Sequence, residues 1–127
     1  MRIVVNKVSY PLEVKSTPES IKRGLADRYS LKGGAIFIFV GEDSRTFWMK
    51  DCKIPLDILF MTGNIVNEIY HNCQPCNTTD NTDYRASDGS YSCETYNGNG
   101  DIVLELNGGF SKLNNIKKGD RLDIRLH

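Results

Sequence analysis

Gly33-Gly34-Ala35-Ile36-Phe37-Ile38-Phe39-Val40 is the stretch that decides the fold. The glycine pair releases the chain into a run with no polar position, so this strand has no face to give to water. It is either buried on both faces or part of a closed barrel. Upstream, Ile3-Val4-Val5 and Tyr10 to Val14 read as strands joined by a turn at Asn6-Lys7. Thr17 then offers an N-cap, with Pro18 at the first helical position and Glu19 at the positive end of the helix dipole. Ile21, Leu25 and Ala26 would face inward, Lys22, Arg23 and Asp27 outward, and the helix should end near Tyr29.

Downstream of the run, Gly41-Glu42-Asp43-Ser44 reads as a turn, followed by a strand over Phe47-Trp48-Met49-Lys50 and a break at Pro55. Leu56 to Met61 and Ile65 to Tyr70 flank Thr62-Gly63-Asn64 as a hairpin. Ile102 to Leu106 and Leu122 to Leu126 alternate as strands, with a short helical piece over Phe110 to Ile116. The expectation is a mainly β, α+β domain spanning residues 1–127. It is a small barrel or strongly bent antiparallel sheet of about eight strands, with one helix from the N-terminal half packed on it.

The 127 residues carry 16 Lys and Arg against 16 Asp and Glu. Zero net charge removes the electrostatic case for a nucleic-acid partner. The apolar run is far short of the roughly 20 residues that cross a bilayer. Met1 to Lys7 reaches polar residues too early for a signal peptide, so the expectation is a cytoplasmic chain, or an exported one whose leader has been removed.

From Tyr70 through Asp101 there is no Ile, Leu, Val, Met, Phe or Trp. Such a segment cannot build its own core, and it holds Cys73, Cys76 and Cys93. Three readings of the cysteines stay open. A Cys76–Cys93 disulfide would close a loop of 16 intervening residues and stabilise by roughly 3 kcal/mol, with Cys52 able to pair with Cys73. A zinc site could use Cys73, Cys76 and Cys93 with His71 or Cys52 as fourth ligand, although one Cys-x-x-Cys is a weak signal. Reduced, inert thiols are the third reading.

Several blocks resemble one family. They are Arg23-Gly24-Leu25, Gly34 to Phe39, Phe47-Trp48-Met49-Lys50, Ile54-Pro55-Leu56-Asp57-Ile58, Pro75-Cys76, Cys93-Glu94-Thr95-Tyr96, Val103 to Gly109 and Ile116 to Asp120. In that order they are similar to the bacterial and archaeal domain-of-unknown-function family 192. The resemblance implies a compact β-rich domain and no particular activity. Ala26, Glu94, Cys52 and Cys73 depart from the usual family pattern, and the export leader that many members carry has no counterpart at this N-terminus.

Two constellations bear on chemistry. Trp48 and Lys50 share a strand face and, with Asp57 and Tyr96, form a candidate ligand surface, the indole stacking on a planar group while the charges fix its polar edge. The plainer alternative has Trp48 filling a barrel end and Asp57 capping backbone amides. Asp57 and Glu105 could instead act as the general acid and base of a carbohydrate or peptide hydrolase if their strands are neighbours. His71 and the terminal His127 are the only histidines, so a nucleophilic triad has one credible base. Phosphate-loop glycine spacing is absent, Lys117-Lys118 reads as a solvated turn, and Asn77-Thr78-Thr79 matches a glycosylation acceptor by composition. Tyr84, Tyr91 and Tyr96 in a Ser-, Asn- and Gly-rich stretch resemble binding loops. The reading that results is a noncatalytic binding or accessory module. Its working surface is the Trp48, Lys50, Asp57 strand end with the 76–93 loop, and its partner is a small molecule or a protein. The hydrolase and a zinc-stabilised interaction protein are the alternatives, and no cofactor other than that zinc is implied.

Overall fold

The computed structural model describes residues 1–76 and 93–127. Its elements are β1 (Arg2–Val5), β2 (Val8–Lys15), α1 (Pro18–Arg23), β3 (Gly34–Trp48), β4 (Leu56–Thr62), β5 (Ile65–Cys73), β6 (Thr95–Asn107), α2 (Phe110–Leu113) and β7 (Asp123–Arg125). The strands form a single curled sheet of order β5-β4-β6-β3-β2-β1-β7, a half-barrel. Its two edges meet at one end: Val66 N–H donates to the Asp120 carbonyl (2.9 Å) and Leu122 N–H to the Asn64 carbonyl (2.8 Å).

The apolar run is buried on both faces from Ala35 to Phe37, while Ile38 and Phe39 are half-buried and Val40, where the strand leaves the sheet into a bulge, is fully exposed. Ile36 points into the half-barrel with Ile3, Leu12, Leu59, Leu104 and Leu106. Ala35 and Phe37 point out of it, against Ile58, Phe60 and Val103, and this outer cluster is roofed by Leu25, Leu31, Met49 and Cys52. Two cores therefore share one sheet, and β3 contributes to each on alternate residues.

β2 and β3 pair in parallel, from Leu12↔Gly34 to Lys15↔Phe37, which obliges the chain to cross over between them, and α1 lies in that crossover. Thr17 caps the helix as expected, accepting from Ser20 N–H while the Ser20 hydroxyl accepts from Thr17 N–H. The helix ends at Arg23, well before Tyr29, because Gly24 takes φ +52° and breaks the hydrogen-bond series. Asn6 and Lys7 both have positive φ, the I′ geometry that suits a two-residue hairpin.

Two expected features differ. Gly41 to Ser44 does not separate two strands: β3 runs through it as a bulge, with Phe39 to Glu42 opposite Asp101 alone. Arg45 holds the bulge together, its guanidinium 4.1 Å from the Phe39 ring and donating to the Gly41 and Gly100 carbonyls at 2.7 and 3.1 Å. The merger leaves seven strands among the described residues where about eight were expected. Asn97-Gly98-Asn99-Gly100, which reads as loop, is strand. A Cβ on Gly98 would stand 2.3 Å from the Phe60 ring, and one on Gly100 2.1 Å from the Met61 carbonyl oxygen, so β6 can cross there only without side chains.

Candidate functional site: a cleft between the first helix and the long strand

α1 and the turn after it stand off from the outer half of β3 and leave a cleft of about 350 Å³. One wall is Ile21 to Ala26, the other Phe37, Phe39 and Ser44 to Trp48, and Lys50 and Cys52 close one end. Glu105 lies at the base. It comes from the centre of the sheet, opposite Ala35 on β3 and Ile58 on β4, both fully buried. Ala35 is small, which leaves depth above the glutamate. Glu105 is itself 3% exposed, and among the described residues nothing hydrogen-bonds its carboxyl group. Burial drives its pKa up to about 8, with Lys15 pulling weakly the other way. The side chain is therefore largely protonated at neutral pH, a hydrogen-bond donor in an apolar recess.

Trp48 and Lys50 both reach this cleft, and the Lys50 ammonium lies 5.4 Å from the centre of the indole ring. Cys76 is tied beside them: its N–H donates to the Met49 carbonyl (3.1 Å) and Asp51 N–H to the Cys76 carbonyl (3.2 Å). Asp57 and Tyr96 lie elsewhere. Asp57 is fully buried and accepts from three backbone amides, Asn72 (2.8 Å), Gly109 (3.0 Å) and Ser111 (2.8 Å). It ties the end of β5 to the start of α2. Tyr96 packs on Tyr70 at 5.2 Å between ring centres, with its hydroxyl 3.4 Å from Glu94.

The two-carboxylate hydrolase is corrected by the register. Asp57 pairs with Leu106 and Ile58 with Glu105, so the two acids occupy adjacent cross-strand positions and project to opposite faces of the sheet. They cannot flank one substrate bond. The zinc set is corrected at its thiols, since Cys76 and Cys93 form a disulfide, while His71 is exposed on β5. Among the described residues no group of three metal-ligating side chains converges. The second disulfide is also corrected. Cys52 and Cys73 are separate free thiols, Cys52 in the roof of the outer core and Cys73 at the end of β5, and burial pushes them up to about 12 and about 11. Tyr84, Tyr91 and Asn77-Thr78-Thr79 lie outside the described residues. Sequence reasoning missed Lys22, Arg23 and Arg45 on the cleft wall. It also missed the setting of Glu105, whose signal was the one acid within the apolar run Ile102 to Leu106.

The fold is a curled half-barrel whose helix-bearing crossover stands over a recessed carboxyl. The family model for uncharacterized ACR proteins, DUF192, matches residues 1–124, and the chain belongs to that family. Two solved structures share the fold. One, from Sinorhizobium meliloti 1021 and described as a "putative transcription regulator", is 24% identical with a TM-score of 0.76, covering 96% of this chain and 89% of that one. The other, a protein of unknown function from Novosphingobium aromaticivorans DSM 12444, is 27% identical with a TM-score of 0.73, covering 97% and 82%. No curated protein matches the chain. No helix among the described residues is long and apolar enough to cross a membrane.

Proposed function

We propose that this chain is a noncatalytic binding module whose ligand enters the cleft between α1 and β3, presenting a flat apolar portion and an anionic group. The observation that carries this reading is the Glu105 carboxyl group, recessed at the base of the cleft without a hydrogen-bond partner among the described residues. A ligand atom that hydrogen-bonds this carboxyl group would contribute about 0.5–1.5 kcal/mol. The cleft volume falls within the range of small-ligand sites, and its walls combine Phe37, Phe39, Phe47 and Trp48 with Lys22, Arg23, Arg45 and Lys50. Aromatic faces take the flat part and the cations take the charge.

Two naphthalene dyes test this: anilinonaphthalene sulfonate, which is anionic, and N-phenyl-1-naphthylamine, which has the same rings without the sulfonate. Both should bind the native protein saturably at pH 6, the sulfonate more tightly, and Trp48→Ala should weaken each by about tenfold. Raising the pH through 8 should weaken the sulfonate on the native protein by charging Glu105, and should not do so on Glu105→Gln. Absence of saturable binding, or Trp48→Ala binding as the parent does, refutes the reading.

A further inference from the structure

β3 is paired unequally along its two sides. β6 follows it from Gly34↔Leu106 to Trp48↔Thr95, interrupted only by the bulge, whereas β2 leaves it at Lys15↔Phe37 and turns into α1. Among the described residues no strand pairs with that second side over Ser44 to Phe47. In an antiparallel ladder alternate residues direct their N–H and C=O groups to opposite neighbours. Half of the backbone groups over Ser44 to Phe47 therefore point away from β6, on a stretch that also forms a wall of the cleft. Proteins ordinarily blunt such an edge with a bulge, a proline or a charged side chain in the strand. Here the bulge lies ahead of the stretch, over Phe39 to Glu42, and Ser44 to Phe47 contains no proline; its one charged side chain, Arg45, is turned back onto the bulge, and Asp43 Oδ1 accepts from the Ser44 N–H (2.7 Å).

We propose that this edge of β3, unpaired among the described residues, is the docking site of an extended, carboxylate-bearing peptide segment, which adds as a strand beside Ser44 to Phe47 and lays its side chains into the cleft. The proposal rests on the binding reading above and names its ligand class. Main-chain hydrogen bonds to the edge would supply affinity, and hollows beside the strand would supply side-chain selectivity. Two are present: the main cleft, and a second hollow of about 220 Å³ lined by Thr46, Phe47, Trp48 and Thr95. Charge selects the occupant. The cations Lys22, Arg23 and Arg45 face the cleft with Glu105 as the sole acid in its lining, so an acidic strand is favoured over a basic one.

The experiment selects randomised peptides of about ten residues displayed on phage against the full chain, then measures the enriched peptides as synthetic products by fluorescence anisotropy. Enriched sequences should carry Asp or Glu within an alternating β-forming pattern. Methylating the backbone nitrogens of alternate residues in one of the two registers should weaken binding by about tenfold or more, because each methyl group removes a main-chain hydrogen bond. Lys22→Glu/Arg23→Glu, two exposed changes on α1, should lose the acidic peptides by a similar factor, whereas Lys112→Glu/Lys117→Glu, two exposed changes outside the cleft, should keep them. No enrichment, enriched peptides without acids, or indifference to methylation in both registers overturns the docking proposal. If the naphthylamine and its Trp48 dependence persist in that event, the cleft reading stands alone. If they are lost as well, both readings fall.

Discussion

Replacing Glu105 with Gln should make the protein more stable in base and leave it nearly unchanged in acid. Burial raises the Glu105 pKa from an ordinary 4.5 to about 8, so the folded state holds a proton that the unfolded chain releases. The native state therefore binds more protons between those two values, and stability falls as pH rises through that window. At 1.36 kcal/mol per pH unit the full fall is roughly 5 kcal/mol, complete above about pH 8 and absent below about pH 4.5. Gln copies the shape of the protonated acid and cannot ionise, so its stability should lack this fall. Urea unfolding of both proteins at half-unit steps from pH 5 to pH 9 isolates the effect, because every other titrating group is common to the pair and cancels in the difference. The two curves should nearly meet at pH 5 and separate by several kcal/mol at pH 9, Gln the more stable. Parallel curves would show that the carboxyl is solvated in the folded protein, and the recessed-donor argument would go with it.

Two further changes address the scaffold around the cleft. Reducing the Cys76–Cys93 disulfide, or replacing both cysteines with Ser, should cost roughly 3 kcal/mol in urea unfolding, since it releases a loop of sequence separation 17; a cost below about 1 kcal/mol would mean the unfolded chain is already restrained there. Asp57→Ala strips the acceptor from three amides at once and should cost about 3 kcal/mol or more, while Asp57→Asn retains one oxygen and should cost less; equal losses from the two variants in thermal unfolding would contradict the role assigned to the carboxylate.

Much of the architecture was legible because it followed from alternation and turn chemistry. The Ala35 to Val40 run announced burial on both faces, which holds for Ala35 to Phe37 and ends at the exposed Val40, and Asn6-Lys7 and Thr62-Gly63-Asn64 announced the hairpins, the latter with Gly63 at positive φ. What could not be read depended on atoms far apart in sequence. Gly41 to Ser44 carries turn residues, yet becomes a bulge because Arg45 braces it and β6 resumes pairing beyond it. Asn97 to Gly100 carries loop residues, yet is strand because Phe60 and Met61 lie where side chains would go. Trp48 and Lys50 meet on the cleft face, the ammonium 5.4 Å from the indole centre, although β3 ends at Trp48 and Lys50 lies beyond it in a bridge to Cys76. Lys22 and Arg23 joined them only because a parallel crossover carried α1 over that face.

Asp57 and Glu105 show why a pair of acids in a sequence says little until the register is known. On β4 and β6 they are one step apart, Asp57 against Leu106 and Glu105 against Ile58. That single step sends one to each face. On its face Asp57 accepts from the amides of Asn72, Gly109 and Ser111, and so it serves the fold. On the other face Glu105 meets Ala35, Ile58 and the base of the cleft, where burial opposes a charge and Lys15 offsets it only in part. The same chemical group is thus a fixed acceptor on one side of the sheet and a protonated donor on the other. Only the donor faces a space that another molecule could fill, and for that reason the functional argument follows Glu105 and leaves Asp57 to the scaffold.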